Sequence, residues 1–456
     1  MQDADAGAVP GAGGAADPAS QDHSQRITFT FMVGVYVATN AIRDAYTLVE
    51  GPDCTHMKTQ YVQGNHDWMS TLTSVSGHHR IANTALHPVQ MTKSREQAIE
   101  STLMRIASHP TVGGVMMTSM PMAVITGADY ERLCRGVQQA TGRTVIHVPG
   151  KSLSGDWMDG YAEVLISLAR QLDLSGGTKD PRKVAIVGHM FDRNEGDHRA
   201  NVRELRRILA ALDLEPVSIW LEGQRFEQLR DVRDAGTILS FPYGRKAAQW
   251  LARRTGARLV ACDLPFGLTA TEHWVRQLGR EFDREAAAEA LIDRELSAIV
   301  PPLEFLIPYV FQNRRAGFVG DPHLARGFAE TAALLGMQLD FAIVTNPKHH
   351  LAGLDRALDP GTLLLVHPRL KPLLDLMRSR IADHRVGLLV SSSAAVGMVA
   401  KDDLATVEFG FPSFHTHALA DRPFLGFAGV LPFIDGMANA LRMGEVVHWT
   451  NRYWSR

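Results

Sequence analysis

Short runs of consecutive apolar residues alternate along this chain with segments whose apolar positions recur every three to four residues. Val112–Met117 and Thr144–Val148 read as buried strands, and Ser94–Ala107, apolar on one side and charged on the other, as the helix before the first of them. The pattern resets near residue 180. Strands are expected at Lys183–Val187, Pro216–Trp220, Thr237–Ser240 and Arg258–Ala261, and helices at Arg199–Leu212 and Lys246–Thr255. A third cycle follows Pro301-Pro302, with strands at Arg315–Gly320, Leu339–Val344, Thr362–Val366 and Val386–Val390 and a helix at Pro322–Leu335. Strands that are apolar throughout are buried on both faces, which implies parallel sheets covered by helices. The expectation is an α/β protein of three Rossmann-like domains with mostly parallel sheets, at 27–178, 179–300 and 301–418. A disordered tail, 1–26, precedes them, and a helical segment, 419–456, is expected to return to the first domain.

Composition narrows the function classes. The 456 residues are 45% apolar and 21% charged, ordinary for a globular chain in water. A net charge of −2 leaves no footprint for nucleic acid, and runs such as Val184–Val187 are too short to cross a membrane. The first 25 residues lack the charged start and apolar core of a signal peptide. Three cysteines at wide spacings, Cys54, Cys134 and Cys262, argue against a disulfide framework and fit a reducing cytoplasm. Cys134 lies in a helical pattern and reads as packing, whereas Cys262 ends a strand and can line a cleft.

Cys54 stands in Gly51-Pro52-Asp53-Cys54-Thr55-His56. A thiol on such a turn, at the end of an α/β element, faces a cleft or a partner and can ligate a metal. Iron–sulfur clusters generally take four ligands, so the rest of any such site comes largely from elsewhere. Val148-Pro149-Gly150-Lys151-Ser152 ends like a phosphate-binding loop, but Val145 occupies the place of the leading glycine, and no nucleotide is expected on this chain. Gly64-Asn65-His66-Asp67 matches the middle motif of binuclear metallophosphoesterases. The Asp-x-His that must precede it is missing, since Asp321-Pro322-His323 comes far too late. Of 19 histidines, the adjacent pairs His78-His79 and His349-His350 would point to opposite faces of a strand and are poor joint ligands. His415 and His417, two apart on an extended segment, would point to one side. Sites in parallel sheets lie at the carboxyl ends of strands, where Cys54, Thr118-Ser119, Gly188-His189 and Phe414–His417 all fall.

Five of these segments, in order, resemble the component 1 family of nitrogenase, which includes its assembly scaffold and the protochlorophyllide and chlorophyllide reductases. Gly51–Cys54 is similar to the family's first cluster-cysteine turn, and Met116–Met120 with Ile125–Asp129 to the strand and loop of its third cysteine, where Ser119 or Met120 stands instead. The region of the second, Ser70–His78, also lacks a thiol. Leu264–Thr271 with Trp274-Val275, and Phe411–His417 with Arg422–Gly429, are similar to later family signatures; Gly188-His189-Met190 looks like the opening of its second domain. The resemblance spans roughly residues 28–445.

It implies a reductase subunit that receives electrons from an ATP-dependent iron protein through an iron–sulfur cluster, of the 4Fe–4S type, shared across a subunit interface. Cys54 would be the metal ligand, with Asp53 and His56 beside it and His66 also near in sequence. The partner would be a homologous component 1 subunit, either a three-cysteine paralogue or a second copy of this chain. No cysteine occurs near Ser240–Gly244, so the iron–molybdenum cofactor is not expected. The substrate, a tetrapyrrole or a small multiply bonded molecule, would bind between the domains. His415 or His417 would donate protons, with His66 and Asp67 as second choices. A cofactor-assembly scaffold of the same family and a metallophosphoesterase-like hydrolase are the alternatives.

Overall fold

The structure, a computed structural model, describes residues 25–53, 55–73, 79–150, 155–382, 386–399 and 404–454, with backbone alone for 55, 56, 58 and 447–454. The expected N-terminal tail lies, but for its last two residues, outside the described residues, and so does Cys54. The first sheet holds β1 (Ala45–Glu50), β2 (Ile81–Asn83), β3 (Gly114–Ser119) and β4 (Thr144–His147) in the order β2-β1-β3-β4. The second holds β5 (Asp180–Val187), β6 (Glu215–Ile219), β7 (Ala235–Ser240) and β8 (Arg258–Ala261) in the order β6-β5-β7-β8. The third, β9 (Arg315–Gly320), β10 (Gln338–Val344), β11 (Leu363–Val366), β12 (Leu388–Ser391) and β13 (Ala405–Glu408), runs β11-β10-β9-β12-β13. Each ladder is parallel, as the unbroken apolar runs require.

In each sheet the strand order reverses beside the first strand: between β1 and β3, β5 and β7, and β9 and β12. Crevices open at the carboxyl ends of strands at such reversals, so the topology offers three candidate sites.

The helix Phe31–Asn40 is buried along all ten residues. An all-round apolar helix belongs inside a protein rather than on its surface. It packs against the helix Trp157–Gln171, which in turn packs on the helix Arg245–Thr255 of the second unit. Arg80 closes its carboxyl end: Nη1 donates to the carbonyls of Thr39 (3.0 Å), Ile42 (2.8 Å) and Ala45 (2.9 Å). Burial lowers this guanidinium to about 10, against the pull of Tyr46, Asp44 and Asp67. One apolar core runs from Phe31 through all three units to Leu441.

The C-terminal helix, Gly426–Trp454, does not make the expected return to the first unit in its main described contacts. It rests on the helix Gly196–Ala211 of the second and on β12 and β13 of the third. Its apolar side explains this, because Phe433 meets Phe266 (5.1 Å between ring centres), Phe409 (4.8 Å) and Phe328 (6.4 Å). No described helix is long and apolar enough to cross a membrane.

Candidate functional site

At the first reversal three strand ends draw together. A Cβ on Gly51 would lie 2.7 Å from Met120 Sδ and need that side chain to shift, and one on Gly150 would lie 2.1 Å from the Ser119 backbone carbonyl, so the latter position admits no side chain. The turn after β1 is held by Gly51 N–H donating to Thr84 Oγ1 (3.3 Å), Leu86 N–H to the Gly51 carbonyl (2.8 Å) and Asn83 Nδ2 to Asp53 Oδ1 (2.9 Å). Behind it, fully buried Glu50 pairs with Arg95 at 3.2 Å. Asp53 is exposed, and His56 lies in the first turn of the helix Thr55–Val62.

The rim of this edge is apolar and exposed: Met57 is 74% accessible, Ile125 77% and Val124 52%. Ser119 and Met120 are buried at the end of β3. Cys134 and Cys262 are buried, and desolvation pushes each thiol up to about 12, so neither offers a thiolate. Cys262 does not line a cleft as expected; it is 1% exposed, with Sγ 3.7 Å from the Val260 carbonyl. Among the described side chains this edge offers the Asp53 carboxylate and the Ser119 hydroxyl; Cys54, between Asp53 and Thr55 in sequence, lies outside the described residues. That falls short of the four ligands of an iron–sulfur cluster.

The reversals of the second and third sheets face each other inside the protein, and there the structure gathers polar groups that sequence reasoning missed. Asp192, five residues after β5 ends at Val187, sits 2.7 Å from His198 Nε2 and 3.6 Å from His66 Nε2. His198 Nδ1 lies 3.2 Å from the Met190 carbonyl, so both ring nitrogens face acceptors and the ring is held as a cation. Burial opposes that charge, but Asp192 and Asp197 outweigh it and raise the pKa. Burial likewise opposes the Asp192 carboxylate, and His198 with His66 holds it well below the usual range. Tyr243 donates to Asp321 Oδ1 (3.1 Å), which burial pushes up to about 6. The cavity these groups share is about 40 Å³, space for a few waters. The run Asp192–His198, almost wholly polar directly after a buried strand, is the signal that marks this region in the sequence.

His66 and Asp67 belong to the same junction. His66 Nδ1 accepts from Ser413 N–H (2.9 Å), while Asp67 accepts from Asn40 Nδ2 (2.6 Å), Asn194 N–H (2.9 Å) and Met69 N–H (2.9 Å). Asn65 is exposed, so Gly64–Asp67 ties units together and does not assemble a binuclear metal site. His417 and His415 are separated rather than paired, because the chain bends at Phe414 and His415. His415 faces solvent. The His417 ring stacks on Trp68 (3.6 Å, 16°) and its Nδ1 lies 2.7 Å from Glu195 Oε1, while its buried Nε2 has no partner. Glu195 also accepts from Trp68 N–H (3.0 Å) and Ala418 N–H (2.8 Å); these donors and His417 outweigh burial and lower its pKa. A cavity of about 230 Å³ borders His417, Arg193 and Arg422, and a wider cleft of about 600 Å³ separates the second and third units. His349 and His350 also depart from expectation. They occupy a 3₁₀ turn rather than a strand, and both reach Asp159.

Residues 30–442 match the family described as nitrogenase component 1 type oxidoreductase. Among curated relatives, the nitrogenase vanadium-iron protein beta chain of Trichormus variabilis is 21% identical over 92% of this chain and 94% of its own. The nitrogenase iron-molybdenum cofactor biosynthesis protein NifN of a Nostoc species is 21% identical over 35% of this chain and 36% of its own. Among solved structures, nitrogenase Cp1 at pH 6.5 superposes with a TM-score of 0.78 at 17% identity, covering 94% of this chain and 95% of that one, a likeness of fold.

Proposed function

We propose a role for this chain from one premise: it belongs to the nitrogenase component 1 type oxidoreductases. The role is that of a reductase subunit contributing one thiolate, Cys54, to an iron–sulfur cluster closed by a homologous component 1 subunit in the cytoplasm. The supporting observation is the first-sheet edge. Its strand ends carry Ser119 and Met120 rather than further thiols, and exposed Met57, Val124 and Ile125 stand around it as an uncovered apolar rim. Such a rim marks a surface that a partner covers. The cluster, probed as a 4Fe–4S centre held by Cys54 and the partner's thiolates, would supply one-electron transfer at low potential. Asp53, exposed at the rim, and His56 are the nearest candidates for non-thiol ligands. Electrons would come from an ATP-dependent iron protein.

His417 is the proton donor this reading favours. Glu195 fixes its Nδ1, leaving Nε2 as the atom that exchanges a proton. The cavity beside it, about 230 Å³, lies below the roughly 300–1,000 Å³ of pockets for drug-sized ligands, which favours a small multiply bonded substrate over a tetrapyrrole. His415, His66 and Asp67 fit the role less well, the first facing solvent and the others engaged internally.

The second reading is a cofactor-assembly scaffold, favoured by the similarity to the biosynthesis protein. Turnover separates the two. The chain is copurified with its partner without oxygen and mixed with a reducing iron protein and ATP. Product formation that falls at least about tenfold in His417→Gln, with iron content unchanged, is the reductase outcome; cluster transfer to an acceptor without product is the scaffold outcome.

A further inference from the structure

We propose that Asp159, His349 and His350 form a binding site for a divalent transition-metal ion of the zinc type, joining the first unit to the third. His349 Nε2 lies 3.1 Å from Asp159 Oδ1, and His350 Nε2 lies 3.5 Å from Asp159 Oδ2. One ligand atom from each residue falls within 4.8 Å of the other two. Around a tetrahedral ion with bonds of about 2.0–2.1 Å, neighbouring ligand atoms stand about 3.3 Å apart, close to the 3.1 and 3.5 Å separations of the two imidazoles from Asp159. Two imidazoles and a carboxylate are a donor set that zinc accepts, with a fourth position left for water.

The local structure explains the convergence. Asp156 caps the helix Trp157–Gln171 in a reciprocal arrangement with Asp159, which brings both carboxylates to the helix start. The turn Lys348–His350, after β10, lays the two imidazoles side by side with ring centres 4.1 Å apart. If both rings were protonated they would repel; one shared divalent ion removes that repulsion. Asp156 Oδ1 stands 3.2 Å from His350 Nε2 as a further anionic neighbour, and the two carboxylates offset the helix dipole that opposes a cation here.

A second, independent observation comes from Asn346, which is 1% exposed. Its Nδ2 donates to Asp156 Oδ2 (2.6 Å), while its buried Oδ1 has no partner. A buried amide left half-satisfied beside Asp156, the carboxylate neighbour of this cluster, calls for a polar partner such as a water. His349, with 56% of its side chain exposed, leaves the ion a route in from solvent.

The test uses the full chain carrying Cys54→Ser, so that this thiol takes no zinc, stripped with chelator and dialysed against Zn²⁺. Bound zinc is counted by mass spectrometry, and Co²⁺ replacement is followed by its visible absorption bands. One equivalent per chain with tetrahedral cobalt bands is expected, weakened at least about tenfold by His350→Gln, Asp159→Asn or His349→Ala, since loss of an outer partner alone weakens metal sites by about 10–100-fold. Circular dichroism checks the fold, and His349→Ala, at a half-exposed position, guards against a variant that does not fold. No equivalent on the parent, or zinc held equally by all three variants, overturns the proposal and leaves these residues as an ion-pair contact between units.

Discussion

Two carboxyl-end regions of the same architecture have opposite character. At the first sheet, the edge around Gly51–Asp53 is apolar where it meets water, with Met57, Val124 and Ile125 uncovered. Where the second and third sheets face each other, Asp192, Arg193, Glu195, Asp197 and His198 are buried and answer one another's charges. Apolar groups outside and ion pairs inside reverse the usual distribution. The interior charges are paired within the chain, whereas the apolar edge is left uncovered. A region that pairs its own charges holds three units in register, while one that leaves apolar side chains uncovered has the character of a surface that a partner covers.

The contrast can be tested from the interior outward. Asp192→Ala should have the largest effect on stability, because it leaves the His198 cation buried without its counter-charge. Breaking one partner of a buried pair costs about 3–5 kcal/mol, read as a fall in the denaturation midpoint. A smaller loss would mean that the junction is wetter than its 40 Å³ cavity implies.

The same pair sets a pH dependence. His198 has a raised pKa when folded, so its contribution is full below its ordinary 6.5 and disappears as pH climbs through the folded value. Asp192 is lowered, so its contribution is present above its ordinary 3.8 and disappears as pH falls toward the folded value. The gap in melting temperature between the native chain and Asp192→Asn should therefore be widest between 3.8 and 6.5 and narrow on both sides. His66, Arg193 and Asp197 also face this pair; Asp197 favours the charge on His198 and Arg193 opposes it, so a flat profile would show that Asp197, rather than Asp192, holds that charge.

Trp68→Ala removes the ring stacked on His417, an interaction worth about 0.5–1.5 kcal/mol, and should lower the melting temperature only slightly. Cys134→Ala and Cys262→Ala mark the other end of the scale for metal content. Both thiols are buried and protonated, so iron per chain should not change with either.

The fold was legible because burial on both faces writes strands as unbroken apolar runs, and β3 is buried at all six positions. The buried helix Phe31–Asn40 has no amphipathic period to read, because a segment buried all round is apolar on every side. The interior network was hidden for a different reason. Asp192 and His198 look like surface residues until β5, β9 and the segment near Ser413, distant in sequence, are folded against one another. His415 and His417 do not form the one-sided pair an extended segment would give, because the chain bends at Phe414 and His415. His349 and His350 were set aside for the same reason, a strand assumed where a 3₁₀ turn forms.

The central claim is that Cys54 supplies this chain's ligand to a shared cluster, and iron counting tests it most directly. The chain is copurified with its partner without oxygen, as the native protein and as Cys54→Ala, and iron per complex is measured beside the visible absorption. The account predicts a brown native complex with about four iron atoms per shared cluster and loss of most of that iron and colour in Cys54→Ala, with circular dichroism unchanged. A Cys54→Ala complex that keeps its iron and its colour would contradict it.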